Sequence, residues 1–422
     1  MSRAPGRARA CATCFGMLLA AILGVAATTV ATAQVAVRAG IVYTMTGDSI
    51  RNGVVVVRNG KIAEVGAAAS VRIPSGYRVL EAAVVTPGLI DAHTVVGMAG
   101  YLNFAQDQDQ LDSSEPIQPE LRAVDGFNSR ERLVDWVREL GVTTIHTGHG
   151  PGAVISGQTM VAKTWAKNAD QAVIVPSAMV AATLGPGALE SRPGKAPGTR
   201  GKAIAMLRVK LEESRGYLRK QKLKDVTKRP ARDLRLEALG RVIARETPLL
   251  ITVHRHQDIL AALRLANEFG FKLVLDGCAE AYLVLDEIRA AGVPVILHPT
   301  MMRAGSSANG SETENVSMET ASRLRAAGIP FAIQSGFEGY VPKTRVVLFE
   351  AGVATAFGLS KAHALAAITI DAARILGVDD RVGSIARGKD GDLALFDGDP
   401  FEYATHCTAV VIGGEVVSET KR

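Results

Sequence analysis

The chain has 422 residues, 47% of them hydrophobic and 21% charged, a composition that can bury a large core and excludes a disordered or fibrous protein. Its formal charge of +6 includes Arg3, Arg7 and Arg9, so loss of that leader leaves about 6 − 3 = +3 with no long basic block, and nucleic acid is not an expected partner.

The first residues read as a secretory leader. The three arginines precede an apolar run from Cys14 to Ala27, and Ala31-Thr32-Ala33 offers the small residues a signal peptidase needs, which places the mature start at Gln34. That run is shorter than the ~20 residues that span a bilayer. The expectation is therefore a periplasmic or secreted protein with no membrane partner. Cys11 and Cys14 fall in the leader, while Cys278 and Cys407 are either a disulfide or two buried thiols.

From Val35 to Val85, short Val- and Ile-rich stretches are broken by turn pairs, with Asn59-Gly60 standing between Val54–Arg58 and Lys61–Val65. Asn-Gly tolerates the positive φ of a tight hairpin, so this is a small antiparallel unit. Strand-like stretches return at Asp392–Phe396 and Thr408–Ile412, with Gly413-Gly414 turning into Glu415-Val416-Val417.

Between these ends, strands are expected at Val85–Ile90, Thr143–His146, Ala172–Pro176, Leu249–His254, Lys272–Asp276, Val293–His298 and Phe331–Gln334, with a weaker one at Met179–Thr183. Helical stretches alternate with them at Arg130–Leu140, Lys202–Gln221, Asp233–Arg245, Gln257–Phe269, Ala281–Ala291, Met318–Ala327, Val341–Phe357 and Lys361–Leu376. This alternation predicts an α/β fold, a (β/α)8 TIM barrel carrying a small composite β-sandwich domain formed by both termini. The corresponding division is a leader at 1–33, β-sandwich at 34–86 and 385–422, and barrel at 87–384. No glycine-rich phosphate loop follows the first strand, which argues against a nucleotide-binding open sheet.

In such a barrel the polar residues just past each strand face the functional site. The first strand ends Pro87-Gly88-Leu89-Ile90-Asp91-Ala92-His93, and a second signature runs through Gly383-Ser384-Ile385-Ala386-Arg387-Gly388-Lys389-Asp390-Gly391-Asp392-Leu393. Together these resemble the amidohydrolase superfamily, closest to its imidazolonepropionase-like and dipeptidase-like branch, over nearly the whole mature chain.

The resemblance implies one or two divalent metals, zinc, manganese or iron, bound by a strand 1 His-x-His pair, a strand 4 lysine or glutamate, histidines on strands 5 and 6 and an aspartate on strand 8. Here the second strand 1 histidine is Val95, the strand 6 histidine is Gly277, and the strand 8 aspartate is Gly336. His93 and His254 remain as metal-binding candidates. His146, His149, His256, Glu280, His298, Gln334 and Ser335 line the expected pocket, with Glu338 near them. A mononuclear site from His93, His254 and His298 is one reading. The other takes His146 as a loop residue bonded to backbone and His298 as a strand cap. His363 and His406 read as surface or packing residues. The amide-rich loop Gln106–Gln118 and the glycine-rich Met301–Asn315 are expected to wall or cover the pocket.

Two functions follow. One is a hydrolase acting on carbon–nitrogen bonds other than peptide bonds; the alternative is a metal-free pseudoenzyme that binds a ligand or serves as a partner subunit. The expected partners are a small molecule and, among proteins, a second copy or an intact paralogue.

Overall fold

A computed structural model describes residues 34–102, 104–189, 194, 196–298, 313, 315–336 and 347–422. The expected leader at 1–33, Glu338 and most of the 301–315 stretch lie outside the described residues.

Both ends of the described chain build one sheet. Its strands are β1 (Gln34–Val42), β2 (Ile50–Arg58), β3 (Lys61–Ala67) and β4 (Arg78–Pro87) from the N-terminal side. From the C-terminal side come the strands Leu393–Phe396, Cys407–Ile412 and Glu415–Ser418. Asn59 and Gly60, with φ of 53° and 77°, make the β2–β3 hairpin turn that Asn-Gly favours. The strand Leu393–Phe396 pairs with β4 across the whole chain, Leu393 opposite Pro87. The Gly388–Asp392 signature then binds the sheet to the barrel base. Asp390 accepts from Lys61 at 2.6 Å and Arg381 at 3.0 Å, and Lys163 bridges Asp390 and Asp392.

β4 runs through Gly88 directly into β5 (Leu89–Thr94), the first barrel strand. Gly88 donates its N–H to Asp392 O at 2.9 Å, and a side chain there would collide with Thr143. The barrel continues with β6 (Val142–Thr147), β7 (Ile155–Gln158) and β8 (Met160–Lys163). An outlying strand β9 (Val173–Val175) follows, then β10 (Val180–Thr183), β11 (Leu249–Val253), β12 (Leu273–Gly277), β13 (Val295–Leu297) and β14 (Phe331–Ile333). The last three C-terminal strands are β15, β16 and β17 in chain order.

β8 pairs with β6 and β7 with β10, both antiparallel. Thr159 joins β7 to β8, so the two act as a single third stave. β10 to β14 are parallel neighbours, and a parallel bridge between Thr94 and Gly336 returns β14 to β5. The ring β5, β6, β8–β7, β10, β11, β12, β13, β14 is the TIM barrel of the sequence reading, with one stave reversed.

The stretch Ala172–Pro176 is not the third stave. Its strand, β9, pairs with β8 outside the ring, and 155–163 takes the expected place. The expected helix Lys361–Leu376 is two helices, Lys361–Ala367 and Ile370–Leu376, parted so that Ile368 O accepts from Ile90 N at 2.8 Å. Cys278 and Cys407 are both free thiols, each buried, so the disulfide is not formed.

Inside the ring, Ile90, Val161, Met179, Leu250, Val274, Ile296 and Ala332 form one apolar layer near the strand starts, packed on Ala372, Leu376 and Val382. Burying seven such side chains at about 25 cal/mol per Å² makes this layer the rigid floor on which the polar residues above it stand.

Candidate functional site

Two residues past Leu250, Val274 and Ala332 the inward positions turn polar, on the period of two that strands have. Thr252, Asp276 and Gln334 stand above Leu250, Val274 and Ala332, all buried. Asp276 is the hub. Its carboxylate accepts from His93 Nδ1 at 3.1 Å, Thr252 Oγ1 at 2.6 Å and Gln334 Nε2 at 2.7 Å, linking strands on opposite sides of the ring. Burial alone would raise its pKa, but His93 beside it and the bonds from His93 and Thr252 outweigh that and hold the carboxyl below its ordinary range.

The shift of register between Asp91 and Thr94 in β5 accompanies the turn of His93 toward this hub. Asp91 takes a different partner, accepting from Ser335 N at 3.0 Å and from Ser335 Oγ. Burial pushes Asp91 up to about 7, against the Ser335 bonds that work to lower it. Ser335 is thus a buried clasp between the first and last staves.

The remaining imidazoles ring the mouth. His146 is committed through both nitrogens, Nδ1 to Ala92 O and Nε2 to Thr159 Oγ1, each at 2.6 Å. His146 stands within β6 and not in a loop, with one nitrogen on backbone and the other on a side chain, so it has none left for a cation. His254 and His298 meet edge to face with ring centroids 6.0 Å apart. His149 lies over Gly157, where a Cβ would stand 2.2 Å from its Cδ2; neither of its ring nitrogens has a hydrogen-bond partner among the described residues. Burial pushes His149 and His254 down to about 4, and His146 and His298 to about 3. All four are neutral near pH 7.

His256 and Glu280 form a separate pair. Glu280 accepts from His256 Nδ1 at 2.7 Å, His256 N at 2.9 Å and Asn315 Nδ2 at 2.8 Å, so its carboxylate is engaged as a helix-start acceptor. His363 bonds Ser360 and His406 bonds Asp397, both exposed pairs. In the 106–118 loop, Gln118 folds back on the Asp112 and Glu115 carbonyls, and Gly150 N donates to Gln110 O at 2.7 Å, which joins that loop to the His149 segment.

The positions that depart from the family pattern are occupied in an informative way. Gly277 has φ of 84°, and a Cβ there would lie 2.7 Å from His254 Cε1. At Gly336, with φ of 94°, it would lie 2.4 Å from His298 Nε2. The imidazoles of His254 and His298 fill the room that side chains at 277 and 336 would need, and both backbones sit where L-residues are strained. Among the described residues, no three His, Cys, Asp or Glu side chains are placed to share a metal ion, so His93, His254 and His298 are not brought together as one ligand set.

Asp276, Asp91, Thr252 and Thr159 were not singled out from sequence as site residues. The signal was there for Asp276, a carboxylate closing the apolar run Lys272–Asp276 at a mouth position.

The amidohydrolase family model matches residues 84–417. The chain is 27% identical over 384 residues to an imidazolonepropionase of Rhizorhabdus wittichii, covering 84% of this chain and 91% of that protein. An imidazolonepropionase of Cupriavidus metallidurans is 27% identical over 399 residues, covering 87% and 92%. The solved structure of an amidohydrolase from Thermotoga maritima superposes with a TM-score of 0.84 at 25% identity, covering 92% of this chain and all of that one.

Proposed function

The chain belongs to the amidohydrolase family, and from that premise we infer that it hydrolyses a carbon–nitrogen bond, other than an ordinary peptide bond, in a small molecule bound at the barrel mouth. The observation that carries the reading is the ionised Asp276 bound to His93 at the centre of that mouth. Hydrolysis requires a proton to leave the attacking water and another to reach the departing nitrogen. Asp276 orients the His93 imidazole through Nδ1, and that imidazole is the group assigned to exchange protons with water and leaving group. Thr252 and Gln334 hold the carboxylate in place for that task.

The family usually employs divalent metals, which acidify water and polarise the carbonyl. Catalytic zinc ordinarily takes about three protein ligands. With valine at 95, glycine at 277 and 336, and both His146 nitrogens engaged, the described residues do not fit that centre, and no step here is assigned to a metal.

The test is a panel of amides, cyclic imides, lactams and dipeptides incubated with the purified chain, with and without added zinc, manganese or iron. Turnover of a non-peptide amide is the expected result. No turnover anywhere would overturn the reading and favour a binding or partner-subunit role for the barrel, in which the glycines at 277 and 336 would be permanent losses.

The leader supports export. Terminal sequencing of protein recovered from the periplasm or medium is expected to begin at Gln34, and a full-length cytosolic product would exclude it.

A further inference from the structure

A cavity of about 670 Å³ opens at the barrel base, where the terminal sheet meets the helix Arg132–Glu139 and the end of β8. Lys163, the last residue of β8, stands in its wall, whereas the other end of that stave reaches the mouth through Thr159 on His146. The cavity is therefore distinct from the mouth. Its size falls within the roughly 300–1,000 Å³ of small-molecule sites.

The wall carries the cations Arg130, Arg138, Lys163, Lys167 and Arg381 and the carboxylates Asp135, Asp390 and Glu415, a formal balance of 5 − 3 = +2. All three carboxylates are engaged. Arg138 Nη2 donates to Asp135 at 2.7 Å, Arg381 Nη2 to Asp390 at 3.0 Å and Trp165 Nε1 to Glu415 at 2.9 Å, while Lys163 pairs with Asp390 at 3.1 Å. The surplus falls on Arg130 and Lys167. Arg130 Nε donates to Lys167 O at 3.2 Å, which sets the two residues side by side, and neither is ion-paired with a carboxylate among the described residues.

Trp165 supplies a flat wall beside them. It is 43% exposed, yet it is held in place. The Arg138 guanidinium stacks on the ring at 5.0 Å from its centroid, and Arg138 is itself buried and fixed by Thr164 O at 2.8 Å and by Asp135. Glu415 holds the indole N–H. A tryptophan anchored in this way offers its open area to another ring with little ordering entropy left to lose. Guanidinium and ammonium groups take carboxylate, sulfonate or phosphate oxygens, and an aromatic face takes a flat ring. The surplus of two charges in a bounded cavity suits one small anion and provides no track for a polyanion.

We propose that this base cavity is a second ligand site, taking a small planar organic anion whose acidic group is held by Arg130 and Lys167 and whose ring lies against Trp165. No residue of the mouth takes part, so the site stands whether or not the hydrolase reading does.

The experiment is calorimetric titration of the purified chain with 2-naphthoate, with its uncharged isostere 2-naphthamide, and with cyclohexanecarboxylate, an anion without a flat ring. The naphthoate is expected to bind at least about 10-fold more tightly than the amide and about 10-fold more tightly than the cyclohexane acid, and to weaken as NaCl is raised from about 20 to about 500 mM. In the double variant Arg130→Gln, Lys167→Gln, whose two positions are exposed, the preference for naphthoate over naphthamide is expected to fall to about 1. In Trp165→Leu the preference over cyclohexanecarboxylate is expected to disappear. Thermal melts check that each variant folds, and the double variant decides the matter if Trp165→Leu does not. Naphthoate binding that is unchanged in the double variant would place the anion elsewhere and overturn the proposal. So would equal binding of acid and amide, equal binding of the two acids, or no binding at millimolar concentration.

Discussion

An Asp276→Asn variant is expected to lose about 10²–10⁴-fold in kcat/KM toward any amide the chain hydrolyses and about 3–5 kcal/mol of stability. Asparagine presents one acceptor oxygen where the carboxylate has two, and it turns an NH2 donor toward His93, Thr252 and Gln334, which are all donating at present. At least one buried donor is then left without an acceptor, and His93 loses the charge that orients its ring. Urea unfolding gives the stability change and steady-state kinetics the activity change. The pH profile separates the two roles, because a purely structural defect lowers the rate at every pH alike, whereas loss of the anion moves the profile. A variant as stable as the wild type would show that the hub does not tie the strands together.

Acid is expected to unfold the protein steeply. His146, His149, His254 and His298 have folded pKa values of about 3 to 4 against an ordinary 6.5. Each contributes stability that is complete above pH 6.5 and lost as the pH falls toward the folded value. Asp91 runs the other way. Raised to about 7, it holds a proton in the fold that the unfolded chain releases above about 3.8, so its contribution is present at low pH and lost as the pH rises through 7. Near pH 5 the unfolded chain binds about 4 − 1 = 3 more protons than the fold, which corresponds to roughly 4 kcal/mol per pH unit. A domain with ordinary stability of about 5–15 kcal/mol therefore unfolds within a few pH units of neutrality. Urea midpoints measured from pH 7 down to pH 5 check the slope. A flat profile would mean that these imidazoles are not buried and neutral together.

The barrel, the composite terminal sheet and the Asn59-Gly60 turn were legible because each rests on local chemistry, either an apolar run of strand length or a turn pair with a single conformational meaning. The third stave was not. Ile155-Ser156-Gly157-Gln158-Thr159 has no apolar run, because Gly157 makes room for the His149 ring, Gln158 Nε2 bonds Pro119 O at 2.8 Å and Thr159 Oγ1 meets His146. Its polarity serves the mouth and conceals the strand. The break within 361–376 is equally silent, since Thr369 leaves helical geometry only to let Ile368 reach Ile90.

At the site, the lost ligands could be read one position at a time, but their consequence could not. That His254 and His298 lie where side chains at 277 and 336 would begin is a matter of three-dimensional packing. So is the rise of Asp276 to the central role, because its three donors come from segments 183, 24 and 58 residues away.

The pairing of β15 with β4 sets the order of events when the chain folds. Until residues near 393 have been synthesised, β4 has a bare edge where β15 belongs, and the first barrel strand, continuous with β4, lacks the Asp392 carbonyl that anchors Gly88. Closing a loop of that span is slow, so a partly made chain has little native structure to collapse into, and an open strand edge invites mispairing with other chains. A protein assembled in this way is expected to stay threadable until β15 has appeared, and a nonsense mutation before residue 393 is expected to leave an aggregation-prone fragment in place of a shortened enzyme.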